Sequence, residues 1–194
     1  MVKGRMIPGL LIGLLLLVGG GWWIGVAASL AAHRPIALTT SAKPAATIAT
    51  TATTSAFVAR VIARTNTYRT AHGCPALAPN AMLMRTAQQH SADMAAHDFT
   101  SHNSFSGATL ADRVKAAGYA YTLVAENIAW GQKTPEQVVD LWFNEAPPND
   151  AHRKNILNCS LRDIGVGYVY LASDPGKVTA HTYWTEDFGT RPAS

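Results

Sequence analysis

Two histidines and two glutamates are the residues in this sequence whose types could do chemistry together. His102 lies in "DFTSHNSFSG" and His152 in "NDAHRKN", both predicted to be loops bounded by turn formers, where a side chain can point into a site without serving a core. Glu126 lies in the largely apolar "AENIAWG", and Glu145 ends the largely apolar "VVDLWFNE". A carboxylate drawn toward an apolar surface needs a hydrogen-bonding partner, and an imidazole is a suitable one.

Several kinds of chemistry are open to these four groups. Neutral imidazoles bind Zn²⁺ well, with a carboxylate or water completing the coordination. The carboxylates could instead hydrogen-bond the imidazoles and fix their tautomers. A metal-bound water with Glu126 as the base would make a hydrolase. The four residues spread over 51 positions without a ligand motif such as His-Glu-x-x-His, so spacing alone does not place them in one site.

Helical periodicity predicts four helices that must position this chemistry. Leu83, Ala87 and His90 share a face of the second helix, which predicts that His90 is a hydrogen-bonded core residue. Leu141 and Trp142 are predicted core residues of the fourth helix. The first helix is predicted to start at Phe57 and the second after Pro79. The third should start at Thr109, which has capping-box spacing to Asp112, and the fourth at Thr134, with Pro135 in its first turn.

Two alternating segments follow Cys159 and predict strands. They are "DIGVGYVYLAS" and "KVTAHTYWTEDFG", and Asp174-Pro175-Gly176 between them is strong turn chemistry, so they should form a hairpin. Helices first and antiparallel strands last predict an α+β fold with helices packed on a sheet.

The N-terminal segment predicts export. Residues 6–32 carry no charged side chain, and a membrane span needs about 20 such residues. Because Lys3 and Arg5 precede this stretch, the rest of the chain should be exported. Residues 1–32 are therefore predicted to be a membrane anchor, or alternatively a cleaved signal peptide. The Thr/Ala/Pro-rich residues 33–55 are predicted to be a disordered linker, and residues 56–194 the domain. The domain should lie on the outer face of the cell membrane, or be secreted if the segment is cleaved.

The distribution of charge excludes a nucleic-acid partner. The net charge is +4, but four of the 16 basic residues precede Phe57 and all 12 acidic residues follow position 90, so the domain carries 12 of each sign. A neutral domain gains little from counterion release on phosphate binding.

Cys74 and Cys159 agree with export. An even number of cysteines in an oxidising compartment predicts one disulfide, with two buried free thiols as the alternative. Closing a loop of this length stabilises the fold by about 4–5 kcal/mol in the chain-entropy model.

Five segments together resemble a known family, the CAP superfamily of cysteine-rich secretory proteins, antigen 5 and plant pathogenesis-related 1 proteins, also called SCP domains. They are similar in particular to its bacterial secreted branch, and they occur in the family's order over residues 57–190. The segments are "RTNTYRTAHGCPALAPNAMLMRTAQQHSADMAAHDFTSHN", "AENIAWG", "VVDLWFNE", "AHRKNILNCSLRDIGVGYVY" and "YWTEDFG". The resemblance implies a three-layer α-β-α sandwich with a central antiparallel sheet.

The resemblance also implies a cleft lined by His102, Glu126, Glu145 and His152, which matches the residues singled out above. These four are the predicted ligands of a divalent cation, with Zn²⁺ the best match and no other cofactor expected. Glu126 and Glu145 are the candidates for any catalytic role. A membrane-tethered binding module for a lipid, glycan or peptide is favoured over an enzyme, because the family offers no general nucleophile or agreed substrate. A metal-dependent hydrolase acting on peptide or cell-wall material, and a structural surface protein with an inert cleft, are the alternatives.

Overall fold

A computed structural model of the chain describes residues 51–193. The predicted anchor or signal peptide at residues 1–32, and residues 33–50 of the predicted linker, lie outside the described residues. Among the helices that are described, none is both long and apolar enough to cross a membrane.

Five helices and four strands occur within residues 51–193. In chain order they are α1 (Thr51–Ala71), β1 (Ala78–Pro79), α2 (Ala81–His97), α3 (Leu110–Ala116), β2 (Leu123–Trp130), α4 (Pro135–Phe143), α5 (Ala151–Ile156), β3 (Asp163–Tyr170) and β4 (Thr182–Thr190).

The sheet has the strand order β1-β3-β4-β2, which leaves β2 at one edge. The three long strands pair antiparallel, and the two-residue β1 adds a parallel pairing to β3. The predicted α+β fold with a central antiparallel sheet is therefore confirmed, and the complete sheet is mixed.

Two adjacent side chains of β4 contact helices on opposite faces of the sheet, which defines three layers. Asp187 accepts a hydrogen bond from the Thr86 hydroxyl of α2 at 2.6 Å. The adjacent Glu186 accepts one from the Thr65 hydroxyl of α1 on the opposite face, also at 2.6 Å. Because successive residues of a strand point to opposite faces, α1 and α2 must cover opposite sides of the sheet. The predicted α-β-α sandwich is confirmed.

Two glycines of β3 allow α2 to lie unusually close to the sheet. A Cβ atom added to Gly165 would come within 2.0 Å of the Leu83 backbone, and one added to Gly167 within 2.2 Å of the Ala87 carbonyl oxygen. Any side chain at these positions would push the helix outward. The spacing in "DIGVGYVY" thus sets the distance between two layers.

The local signals for helices α2, α3 and α4 are confirmed. The Asn80 side chain caps α2, Thr109 and Asp112 form the reciprocal capping box of α3, and the Thr134 hydroxyl accepts the Gln137 N–H at the start of α4. The Gln137 side chain accepts the N–H of Lys133, whereas in a reciprocal capping box it would accept that of Thr134. These helices begin where their caps predict because a cap satisfies backbone N–H groups locally.

Other boundaries differ from the sequence prediction. α1 begins at Thr51, so residues 51–55 of the predicted linker are helical. An established helix extends readily into Ala- and Thr-containing sequence, because propagation costs less than nucleation. The prediction that Leu141 is a core residue is wrong, since it is 48% exposed, whereas Trp142 is fully buried as predicted.

The predicted hairpin forms, but its second strand starts later than expected, at Thr182. Two carboxylates organise the preceding loop. Asp98 accepts the backbone N–H groups of Lys177 and Val178, and Asp174 accepts those of Ala180 and His181. These donors are therefore satisfied without a strand partner.

Cys74 and Cys159 form a disulfide, which confirms the predicted pairing. The bond joins the loop that follows α1 to the turn before β3.

Candidate functional site

Glu126 lies in the middle of the edge strand β2, with its side chain 2% exposed. Its Oε1 accepts a hydrogen bond from His102 Nδ1 at 2.8 Å, and its Oε2 accepts one from the guanidinium of Arg113. Burial opposes ionisation of Glu126, but the hydrogen bond from His102 and the charge of Arg113 outweigh it and hold the pKa of this carboxyl below its ordinary value. Glu126 is therefore a buried, paired carboxylate at neutral pH.

Arg113 is placed by α3, whose capping box fixes where the helix starts. Besides binding Glu126, the guanidinium donates to the backbone carbonyl of His102 at 2.8 Å. One side chain thus holds both the carboxylate and the loop that carries its imidazole partner.

His90 is a core residue, as the helical pattern predicts. Its side chain is fully buried, and Nε2 donates to the Ser101 carbonyl at 2.9 Å. Burial lowers the pKa of His90, which keeps this imidazole neutral. The same Nε2 lies 3.8 Å from Glu126 Oε2. Its structural role is to anchor the loop one residue before His102.

A second pair, His152 and Glu145, forms where the chain leaves α4 and enters α5. Glu145 Oε1 accepts a hydrogen bond from His152 Nδ1 at 2.5 Å, and Oε2 accepts the backbone N–H of His152 at 3.0 Å. The prolines between the helices turn the chain back so that these residues meet. His152 lies in the first turn of α5, which corrects the prediction that it lies in a loop.

Both histidines line a single open cleft of about 410 Å³ at the edge of β2. His102 approaches from the side of the sheet that α2 covers, and His152 belongs to α5, which packs through Ile156 in the cluster around α1 and α4. The cleft is lined by Thr100, Ser101, His102, Asn103, Ile128, Trp130 and His152. The two glutamates are not part of this lining and lie behind their histidines.

The two hydrogen bonds determine which nitrogen of each ring is free. An ionised carboxylate only accepts hydrogen bonds, so the proton must lie on Nδ1 of His102 and of His152. In the neutral imidazole, Nε2 then carries a lone pair with no proton. Neither Nε2 has a hydrogen-bond partner within residues 51–193. Two imidazoles, each oriented by a carboxylate on Nδ1 and each with Nε2 unpartnered, therefore line one cleft.

A cation held by the two imidazoles alone would have an incomplete set of protein ligands. Nowhere in residues 51–193 do three or more His, Cys, Asp and Glu side chains form a group that could hold a metal ion. Catalytic zinc sites have three protein ligands and structural ones four, so two imidazoles would leave coordination positions for water or a ligand. That these four residues bind a metal stays a prediction.

Three further residues of the site have no signal in the local sequence. Arg113 and Asp187 reach Glu126 only through the packing of α3 and the pairing of β4 with β2. Trp130 follows an apolar stretch and resembles a core residue, yet it is 45% exposed in the cleft. Only its position at the end of an edge strand distinguishes Trp130 from a core tryptophan.

The α-β-α sandwich is the fold of an SCP-type domain. The family model for the cysteine-rich secretory protein family, CAP, matches residues 62–188, and the chain belongs to this family.

Two relatives from Bacillus subtilis share the domain. The uncharacterized protein YkwD is 36% identical over 149 residues, which cover 77% of this chain and 53% of YkwD. The uncharacterized membrane protein YlbC is 30% identical over 108 residues, covering 56% of this chain and 30% of YlbC. The chain thus spans about half the length of the first of these relatives, and less of the second.

Solved structures show the same fold. An extracellular protein of Bacillus anthracis that contains a SCP domain superposes with a TM-score of 0.60 at 28% identity, covering 71% of this chain and 41% of that protein. An outer surface protein of Borrelia burgdorferi superposes with a TM-score of 0.58 at 19% identity, covering 68% and 90%.

Proposed function

We propose that this protein is an extracellular, membrane-tethered binding module whose His102 and His152 take up a divalent cation, with Zn²⁺ the best match. The observation that carries the proposal is the matched hydrogen bonding of the two imidazoles. Each Nδ1 is held by a carboxylate, at 2.8 Å for Glu126 and 2.5 Å for Glu145, so each Nε2 is left without a partner, and both rings line one cleft.

The carboxylates have an orienting role in this proposal. A carboxylate behind a metal-binding histidine fixes its tautomer and raises its basicity, and losing it costs about 10–100-fold in affinity. Glu126 and Glu145 stand in this position relative to their rings. The cation would supply an electrophilic centre with free positions for groups of a ligand.

Placement outside the cytoplasm has independent support. The disulfide between Cys74 and Cys159 is typical of exported proteins. Residues 6–32 are uncharged and follow two basic residues, as in an anchor that starts in the cytoplasm. The related Bacillus anthracis protein is described as extracellular.

The hydrolase alternative has less support than the binding module. A general base must reach a water molecule or substrate proton. Both oxygens of Glu126 are occupied, by His102 and by Arg113, and the side chain is 2% exposed. In this geometry Glu126 orients His102 and neutralises Arg113, and its burial keeps it away from water or a substrate in the cleft.

Zinc titration of the purified full-length protein by calorimetry tests the proposal. His102→Ala and His152→Ala should each weaken zinc binding by more than about tenfold, because each removes one of two nitrogen donors. His97→Ala is the matched control, since its Nδ1 also contacts a carboxylate, Asp93 at 2.9 Å, but lies outside the cleft. Zinc binding that is absent in the wild type, or that His97→Ala weakens equally, would overturn the proposal.

A further inference from the structure

Trp130 is an exposed aromatic ring in a cleft whose other lining residues, apart from Ile128, are polar. It is 45% exposed, whereas Trp142 and Trp184 of the same domain are fully buried. Its indole Nε1 makes no hydrogen bond with any part of the chain that the structure describes, while the indoles of the two buried tryptophans donate to backbone carbonyls. Trp130 therefore offers both a ring face and a free N–H donor to a ligand.

Polar side chains from the loop after α2 share the cleft with Trp130. The Thr100 hydroxyl and the Asn103 side-chain amide have no partner within residues 51–193. The Ser101 hydroxyl accepts the Asn103 N–H at 3.2 Å and keeps its own proton free. These groups can donate to and accept from hydroxyl groups of a ligand. An acyl chain would bury them without partners, at about 1–3 kcal/mol for each group.

Two backbone carbonyls on the edge of β2 are already occupied near the cleft. The carbonyl of Glu126 accepts a hydrogen bond from the Asn155 side chain at 3.1 Å, and that of Ile128 accepts one from the Trp142 indole at 3.0 Å. Strand addition requires the backbone groups of an edge strand to be free. An added peptide strand would have to displace these two bonds, whereas one aromatic face and several hydroxyl and amide groups of side chains are free to bind a ligand.

We propose that the cleft binds a carbohydrate chain, with one sugar ring stacked on Trp130 and its hydroxyls bonded to Thr100, Ser101 and Asn103. The electron-rich face of an indole attracts the weakly positive C–H groups on the flat side of a pyranose ring. The cleft volume of about 410 Å³ lies within the usual range for small-ligand sites. The inference rests on the proposed binding function and names its ligand class, and a cation on His102 and His152 would lie beside the sugar hydroxyls.

Titration with soluble oligosaccharides tests this proposal, with chitotetraose and cellotetraose as the probes. In the full-length protein, Trp130→Ala should weaken binding of the better probe by at least about tenfold, and Trp130→Phe by less. Tyr170→Ala is the matched control, because Tyr170 is 43% exposed but does not line the cleft. The Trp130 indole N–H resonance of the wild type should shift on binding, which gives a readout that needs no substitution.

Three results of these titrations would overturn the carbohydrate inference. No binding of either probe up to about 10 mM, equal loss in Tyr170→Ala, or binding of tetra-alanine in place of the sugars would overturn the inference. Zinc titration runs in parallel. Zinc binding without sugar binding removes the carbohydrate inference alone, whereas sugar binding without zinc binding removes the cation site and keeps the ligand class.

Discussion

Glu126 lies directly opposite Asp187 in the antiparallel pairing of β2 with β4, and both carboxyl groups are buried. Burial and the nearby charge of Glu126 raise the pKa of Asp187 well above its ordinary value. The pKa of Glu126 is lowered, because His102 and Arg113 outweigh the effect of burial. The pair therefore holds one negative charge, on the member that faces the cleft histidine.

Arg113 should contribute far more to stability than an exposed arginine. Arg113→Gln leaves the buried Glu126 carboxylate without its guanidinium partner, and breaking a buried pair costs about 3–5 kcal/mol of unfolding free energy. Arg60→Gln is the control, because the Arg60–Glu136 pair is exposed and such pairs contribute about 0–1 kcal/mol. Urea unfolding at pH 7 measures both, and equal losses would contradict the burial argument.

Glu186 should make stability depend on pH. The side chain is fully buried between Thr65 and Asn127, and burial raises its pKa from 4.5 to about 7. The unfolded chain releases this proton at lower pH than the folded protein does. The contribution of Glu186 is thus complete below about pH 4.5 and is lost as the pH rises through 7, by on the order of 3 kcal/mol.

Glu186→Gln isolates this effect, because the amide has nearly the same shape and does not titrate. Between pH 5 and pH 7.5, wild type should lose more unfolding free energy than the variant does. Glu136→Gln serves as the control, since this exposed carboxyl has a lowered pKa and is ionised throughout that range. If Glu186→Gln follows the wild-type pH profile, Glu186 is ionised in the folded protein at pH 5.

The elements that the sequence predicts are those with local signals, and the missed ones lack them. A capping residue specifies the start of α3 or α4 with no help from tertiary contacts. β2 escapes prediction because the adjacent Glu126 and Asn127 point to opposite faces, which puts a polar residue on each side and removes the alternation. α5 has six residues, too few for a helical period to appear.

The candidate site shows the same division between residues that the sequence identifies and residues that only the fold brings together. Residue chemistry is enough to select His102, His152, Glu126 and Glu145 as candidates, but the way they pair depends on the packing of two layers against one strand. Arg113 could not be selected at all, because nothing near it in sequence distinguishes a guanidinium that binds a buried carboxylate from one in water.

Cation uptake should fall steeply in acid. A cation and a proton compete for the same Nε2 atoms of His102 and His152, so a fall in pH favours the protonated rings over the cation complex. Since two imidazoles must be neutral, zinc affinity should fall by up to about 100-fold per pH unit in acid. Calorimetry at pH 7.5 and pH 5 measures this, and undiminished zinc binding at pH 5 would exclude an imidazole site.

Glu126→Gln and His152→Ala separate a binding module from a hydrolase. A glutamine at position 126 can still accept the His102 N–H, but it cannot take up a proton as a base. For a binding module, zinc affinity should fall by about 10–100-fold in Glu126→Gln and further in His152→Ala, with no hydrolysis of fluorescent casein or peptidoglycan by any form. For a hydrolase, wild type would cleave one of these and both variants would lose the activity. Glu145→Gln repeats the test at a more exposed carboxylate. This variant leaves the buried pair of Arg113 with Glu126 intact, so it puts folding less at risk than Glu126→Gln does.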